Sequence, residues 1–142
     1  DIDSVTIQGN GHEETILDFS EQKSGAQGLM VTSDDVVLRD FAVLDTKGDA
    51  IKVKGSDGIS FINVRTEWSG GPLSTNGAYG LYPVESKNVL IDGCIAIGAS
   101  DAGIYGGQSE NIIVRNSQNR VLYNASTTNV TLDEMLSPIV DF

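Results

Sequence analysis

The chain has 142 residues, a length typical of one folded domain with a single elongated core. Its 9 Lys and Arg residues against 20 Asp and Glu residues give a formal net charge of −11. Because proteins bind nucleic acids by neutralising phosphates with cations, this charge argues against nucleic acid and anionic membrane surfaces as partners. Cys94 is the only cysteine, so no intrachain disulfide can form and the core must hold the fold together.

Several classes of protein are excluded by missing patterns. No apolar run approaches the roughly 20 residues of a membrane-spanning helix, and the first residues lack the basic and then apolar pattern of a signal peptide. The sequence also has no nucleophile elbow, phosphate loop or EF-hand loop. One histidine, His12, and one cysteine cannot assemble a typical zinc site.

Five short segments repeat one pattern, in which any residue stands between two apolar residues. Their starts are 31, 23, 30 and 23 residues apart, a period typical of a β-solenoid. The short Val- and Ile-rich runs favour many short strands over helices. The segments are Val5-Thr6-Ile7, Val36-Val37-Leu38, Ile59-Ser60-Phe61, Val89-Leu90-Ile91 and Ile112-Ile113-Val114.

A second strand recurs in step with the first. Four coils carry a small residue before an apolar one, at Gly28-Leu29, Ala50-Ile51, Gly80-Leu81 and Gly103-Ile104. Two residues after each segment of the first kind stands a residue type that tolerates the left-handed conformation, which predicts a tight turn in every coil. These turn residues are Gly9, Asp40, Asn63, Gly93 and Asn116.

With Asn63 and Asn116 in this turn column, the chain resembles the pectate-lyase-like family of right-handed parallel β-helices, which carry a ladder of asparagine turns. The resemblance covers about residues 4–118. It implies an all-β, right-handed parallel β-helix of about five coils, and a location in the extracellular space or the periplasm. It does not fix an activity, because lyases, epimerases, hydrolases and non-catalytic adhesins share this fold. The alternative fold, an antiparallel sandwich, needs short hairpin turns, whereas Asn76-Gly77 lies inside a long loop.

Two coils carry longer connections, at residues 11–27 and 66–79, which include His12 and the only tryptophan, Trp68. Insertions at the same point of a solenoid repeat emerge on the same face, so we expect these loops to flank one groove. The alternative is that they only cover a sheet edge or cap the first coil.

One column of outward side chains has groups that suit contact with an acidic sugar. If the apolar residue of each small-apolar pair faces the core, the next residues should stack outward as Met30, Lys52, Tyr82 and Tyr105. Two tyrosines beside a lysine offer ring faces and hydroxyls to a sugar, and one cation to a carboxylate. The alternative is that these are ordinary exposed side chains.

We therefore expect a carbohydrate-active β-helix that binds an acidic polysaccharide along this column. If it is an enzyme, the family resemblance implies a polysaccharide lyase or uronate epimerase, with Lys52 as base and Tyr82 or Tyr105 as proton donor. Further candidates for substrate binding are His12, Lys54, Arg65, Trp68 and Tyr79. The alternative is a non-catalytic binding or structural module that forms homo-oligomers through its ends.

Acidic loop residues bear on cofactors. Asp45, Asp49, Asp57 and Asp101 supply the oxygen ligands that Ca²⁺ prefers, although no acidic motif repeats and a solvated surface is the simpler interpretation. We assign no metal ligand and keep Ca²⁺ as an optional cofactor.

The last part of the chain loses the repeat. Residues 119–142 lack the small-apolar pair expected near residue 127, and they include the apolar residues Leu136, Ile139 and Val140. Because a solenoid must cover the edges of its last coil, this segment is predicted to be a cap or a self-association surface of the same domain as residues 1–118. The chain could also be part of a longer helix.

Overall fold

The computed structural model describes residues 2–118 and 120–135. All regular structure in this part of the chain is β-strand, and none of it forms a helix long and apolar enough to cross a membrane. The strands are β1 (Thr6–Gln8), β2 (Ile16–Asp18), β3 (Gln27–Val31), β4 (Val36–Arg39), β5 (Ala42–Leu44), β6 (Asp49–Lys54), β7 (Asp57–Ile62), β8 (Arg65–Glu67), β9 (Tyr79–Val84), β10 (Lys87–Asp92), β11 (Ile95–Ile97), β12 (Ala102–Gly106), β13 (Glu110–Arg115), β14 (Val121–Tyr123) and β15 (Thr128–Asp133).

The strands form three sheets, and every pairing between the described strands is parallel. Sheet A has the order β1-β4-β7-β10-β13-β15, sheet B the order β11-β8-β5-β2, and sheet C the order β14-β12-β9-β6-β3. The chain visits sheets A, B and C in turn and then begins the next coil. The predicted all-β parallel β-helix of about five coils is confirmed.

The core is a stack of apolar side chains from successive coils. In sheet A, Leu38 pairs with Phe61, Phe61 with Ile91, and Ile91 with Val114, and all four side chains are fully buried. The residues between them face outward, because side chains alternate along a strand. Cys94 is buried in the same core and is not part of a disulfide.

The predicted turn column lies at the corner between sheets A and B. Asp40, Asn63, Gly93 and Asn116 all have positive φ, between 50° and 67°. Gly9 is the exception, because residues 9–15 form a longer connection before β2. The turn prediction is therefore right for every coil with a two-residue corner.

A second ladder of left-handed residues, which the sequence analysis missed, lies where the sheet A strands begin, at the second residue of β10, β13 and β15. Asn88, Asn111 and Asn129 have positive φ there. The Asn129 amide donates to Asn111 Oδ1 at 2.9 Å, the Asn111 amide donates to Asn88 Oδ1 at 3.2 Å, and the Asn88 amide donates to Asp57 Oδ1 at 2.7 Å. Each asparagine thus fits the left-handed turn and ties its coil to the preceding one.

Replacing Asn111 with alanine should destabilise the fold by about 2 kcal/mol, of which about 1 reflects lost hydrogen bonds and about 1 the left-handed backbone. Asn111→Gly removes the same hydrogen bonds but tolerates positive φ, so it should cost only about half as much. Urea denaturation of both variants checks this difference. Equal destabilisation by alanine and glycine would show that the left-handed turn carries no strain.

The coils extend beyond the boundary predicted at residue 118. In sheet C, Ile104 pairs with Val121, 17 residues later, and in sheet A β15 pairs with β13 along its length. The last coil is shorter than the others, which is why no small-apolar pair occurs near residue 127. The role of residues 119–142 as a cap or self-association surface stays a prediction, and residues 136–142 lie outside the described part of the chain.

Candidate functional site

The outward face of sheet C carries the predicted column. Met30 pairs with Lys52 and Lys52 with Tyr82 in the strand register, and Tyr105 lies beside Tyr82 on the next coil. The column continues to Leu122, which pairs with Tyr105. The sequence therefore placed these side chains on one face correctly.

A third tyrosine, Tyr79, joins Tyr82 and Tyr105, and we call these three residues the tyrosine cluster. The rings of Tyr79 and Tyr105 are stacked, with centroids 4.5 Å apart and an interplanar angle of 20°. Tyr82 lies 4.8 Å from Tyr79 and 5.6 Å from Tyr105, in tilted and edge-on geometry. Lys52 Nζ lies 5.3 Å from the centroid of the Tyr82 ring, within the range of a cation-π contact.

The environment keeps the hydroxyls of Tyr79 and Tyr82 protonated. Burial, followed by the charge of Asp101, raises the pKa of Tyr79 to about 12, and burial also raises the pKa of Tyr82. At neutral pH these hydroxyls are therefore neutral groups that can both donate and accept hydrogen bonds. The cluster is suited to contact with a polyhydroxylated ligand through its rings and hydroxyls.

Two carboxylates and an arginine lie beside the cluster, and the sequence analysis missed them as site residues. Asp49 Oδ1 accepts a hydrogen bond of 3.1 Å from the Tyr79 backbone N–H. Arg120 Nη1 donates to the Asp101 carbonyl at 2.8 Å and lies 3.9 Å from its carboxylate. A depression of about 530 Å³ is lined by residues that include Tyr79, Asp101, Tyr105, Arg120 and Tyr123.

One available signal was not used in the sequence analysis. Asp49 directly precedes the pair Ala50-Ile51, just as Tyr79 precedes Gly80-Leu81. Equivalent positions in adjacent coils lie close together, so this shared offset could have placed Asp49 beside Tyr79, which was already a predicted contact. Tyr123 and Arg120 were missed because the last coil was expected to be six residues longer than it is.

The loop at residues 68–78 fixes the start of β9, where Tyr79 lies. Trp68 is only 4% exposed, and its indole N–H donates to the Thr46 carbonyl at 2.8 Å. The Asn76 amide donates to the carbonyls of Gly71 and Gly98, both at 2.7 Å. The expected role of Trp68 as a substrate contact is therefore wrong, because its side chain anchors the loop from inside.

His12 and Arg65 lie on another sheet. Residues 16–18 form β2 of sheet B, so the insertion expected at residues 11–27 is divided, and His12 lies at the corner between sheets A and B. Arg65, on β8 of the same sheet, forms an ion pair with Glu67 and donates to the His12 carbonyl at 3.0 Å. The prediction that they complete the sheet C site is wrong. Lys54, by contrast, is exposed on β6 two residues beyond Lys52.

The acidic residues considered for Ca²⁺ have other partners. Asp45 accepts hydrogen bonds from the Ser69 N–H and hydroxyl, and Asp57 accepts one from Asn88. Over residues 2–118 and 120–135, no three His, Cys, Asp or Glu side chains come together as a group that could hold a metal ion.

Asp49→Asn should be more stable than the wild type at neutral pH. Burial raises the pKa of the Asp49 carboxyl above its ordinary value of 3.8, although the Tyr79 N–H opposes this. The folded state then binds the proton more tightly, so the contribution of Asp49 to stability is largest below the ordinary pKa and is lost as pH rises through the raised one. Asparagine keeps an acceptor for the Tyr79 N–H without the charge.

Urea denaturation of both proteins at about pH 3 and about pH 7 checks this, with the stability difference expected only at the higher pH. The exposed Glu13→Gln is the control and should show no such trend. A variant less stable than the wild type at neutral pH would show that the ionised carboxylate stabilises the coil.

Comparison with known families matches residues 3–133 to the family described as the right-handed β-helix region. The search of curated proteins gave no significant match. The search of solved structures gave none either. The matched range covers all fifteen strands and so agrees with the parallel coils described above. The chain therefore belongs to the right-handed β-helix family.

Proposed function

We propose that the outward face of sheet C binds a polysaccharide, with the tyrosine cluster and Lys52 as its main contacts. The observation that carries this proposal is the clustering of three tyrosines from two adjacent coils, with ring centroids within 5.6 Å of one another. Aromatic rings offer apolar surface to the C–H faces of sugars, while hydroxyls exchange hydrogen bonds with sugar hydroxyls. A location outside the cell or in the periplasm belongs to this proposal and rests on the resemblance to pectate-lyase-like proteins.

We favour binding over cleavage or epimerisation. Removing a proton beside a uronate carboxylate needs a base with a free electron pair, whereas Lys52 Nζ is engaged over the Tyr82 ring, 5.3 Å from its centroid. The raised pKa of Tyr79 and Tyr82 keeps both hydroxyls protonated at neutral pH, so neither supplies a base there. Arg65, the arginine first considered for neutralising the substrate carboxylate, lies on sheet B.

Affinity electrophoresis in gels containing a single polysaccharide tests binding. The panel comprises galactan, xylan, mannan, β-glucan, pectate and alginate. We expect retardation by at least one polymer and loss of that retardation in Tyr82→Ala. The same mixtures followed by ultraviolet absorbance test for lyase activity, with Lys52→Ala as control. New unsaturated ends that form with the wild type but not with Lys52→Ala would show that the protein is a lyase and not only a binding module.

A second candidate function, self-association, is favoured by the first coil. Ile2 is 76% exposed and Ile7 48%, and both line an apolar depression of about 360 Å³ together with Met30. Apolar surface of this kind on an open sheet edge is typical of an interaction site. A monomer mass by light scattering at all protein concentrations would exclude self-association.

A further inference from the structure

The charges around the tyrosine cluster bear on the kind of polysaccharide that it takes. Three carboxylates lie close enough for their charges to raise the pKa of its hydroxyls. Asp49 and Asp101 contribute at Tyr79, and Asp49 and Glu85 contribute at Tyr82. Three cations lie on the same face, Lys52, Lys54 and Arg120. This face is therefore balanced in charge and is not a basic patch.

The cations are also engaged with groups of the protein. Arg120 donates to the backbone carbonyl of Asp101 and lies near its carboxylate. Lys52 lies over Tyr82 and interacts electrostatically with Asp49. A uronate carboxylate approaching either cation would compete with these contacts and would meet the nearby protein carboxylates.

The long-range electrostatic field of the chain also disfavours a negatively charged polymer. The whole chain has a net charge of −11, so a polymer with one negative charge on every sugar is repelled before it reaches the face. An uncharged polymer meets no such repulsion, and the protonated tyrosine hydroxyls suit its hydroxyl groups.

We infer that the tyrosine cluster selects an uncharged polysaccharide, or an uncharged stretch of one, over a polyuronate. This inference rests on the proposed polysaccharide binding by the same face. It differs from the acidic polysaccharide expected from the sequence, where Lys52 was considered without its surroundings. Asp49, Glu85 and Asp101 are the residues that determine the preference.

Polymer pairs that share one backbone and differ in whether the uronate carboxyl groups are charged or esterified test the inference. The probes are pectate and its fully methyl-esterified form, and alginate and its propylene glycol ester. At low ionic strength we expect the ester of a pair to bind about tenfold or more tightly than the acid, with the ratio falling as added salt screens the charges. An acid form that binds as tightly as its ester, or more tightly, overturns the inference.

Two charge variants locate the preference. Glu85→Lys and Glu13→Lys change the net charge equally. The charge of Glu85 contributes to the raised pKa of Tyr82, whereas Glu13 lies in the connection before β2. We expect Glu85→Lys to reduce the ester-to-acid ratio several-fold and Glu13→Lys to change it little. Equal effects would overturn the assignment of the preference to this face.

Failure of the inference and failure of the proposed function give different results. If an acid form binds best and Tyr82→Ala abolishes that binding, the site stands and only the inference falls. If Tyr82→Ala leaves all binding intact, the proposed site falls. If no polymer of the two pairs or of the wider panel binds, both fall.

Discussion

Replacing Phe61 with alanine is expected to lower the free energy of unfolding by about 3–5 kcal/mol. Phe61 is fully buried at the centre of the stack, between Leu38 of the preceding coil and Ile91 of the next one. Removing the ring loses its burial and leaves a cavity that the neighbouring side chains of the stack fill only in part. Because domains of this size are stable by only about 5–15 kcal/mol, the variant should be close to unfolding.

Chemical denaturation followed by the fluorescence of Trp68, the only tryptophan, measures this loss. Ile113→Ala is the matched control, since Ile113 belongs to the same sheet but is 41% exposed on the outer face. That change should cost less than about 1 kcal/mol. Similar losses in the two variants would mean that the stack is not the main source of stability.

Replacing Tyr82 with alanine is expected to weaken polysaccharide binding by about 30-fold or more, corresponding to about 2 kcal/mol. Tyr82 contacts both other rings of the cluster, and Lys52 Nζ lies above its ring. Its removal therefore takes away one hydroxyl and one ring and frees the side chain of Lys52. Tyr82→Phe keeps the ring and should lose only the hydrogen bonds, so its effect should be about tenfold.

Titration calorimetry with the polymer that binds best measures both variants. Ile113→Ala again serves as control, because it removes an exposed apolar side chain from sheet A and should leave affinity unchanged. Circular dichroism should show that the tyrosine variants keep their strands. Unchanged affinity in a folded Tyr82→Ala protein would move the binding site away from sheet C.

The sequence predicted part of the site because neighbours in a solenoid column are equivalent positions of successive coils. Lys52, Tyr82 and Tyr105 each follow the buried apolar residue of a small-apolar pair, and this offset alone places them side by side. Tyr79 was expected as a substrate contact, whereas Asp49 was missed as a site residue because alternation breaks where β6 begins. Both Ala50 and Ile51 are buried, so the residue before such a pair faces outward rather than inward.

The errors have a common physical cause. Trp68 and His12 were assigned to a groove from their presence in long connections, but loop length does not determine which side chains a loop buries. The Trp68 side chain extends inward to the Thr46 carbonyl, and the strand at residues 16–18 separates His12 from sheet C. Such contacts depend on packing between coils, which a single repeat does not encode.

The sequence by itself determined the all-β class, the parallel coils, the left-handed turns between sheets A and B and the outward column, because each follows from residue types at a fixed period. Only the tertiary structure decided the length of the last coil, the amide ladder of Asn88, Asn111 and Asn129, and the balance of charges around the tyrosine cluster. The physical reason is that alternation and turn propensity are local properties of the chain. Contacts between coils depend on how many residues each corner uses, and that number varies from coil to coil.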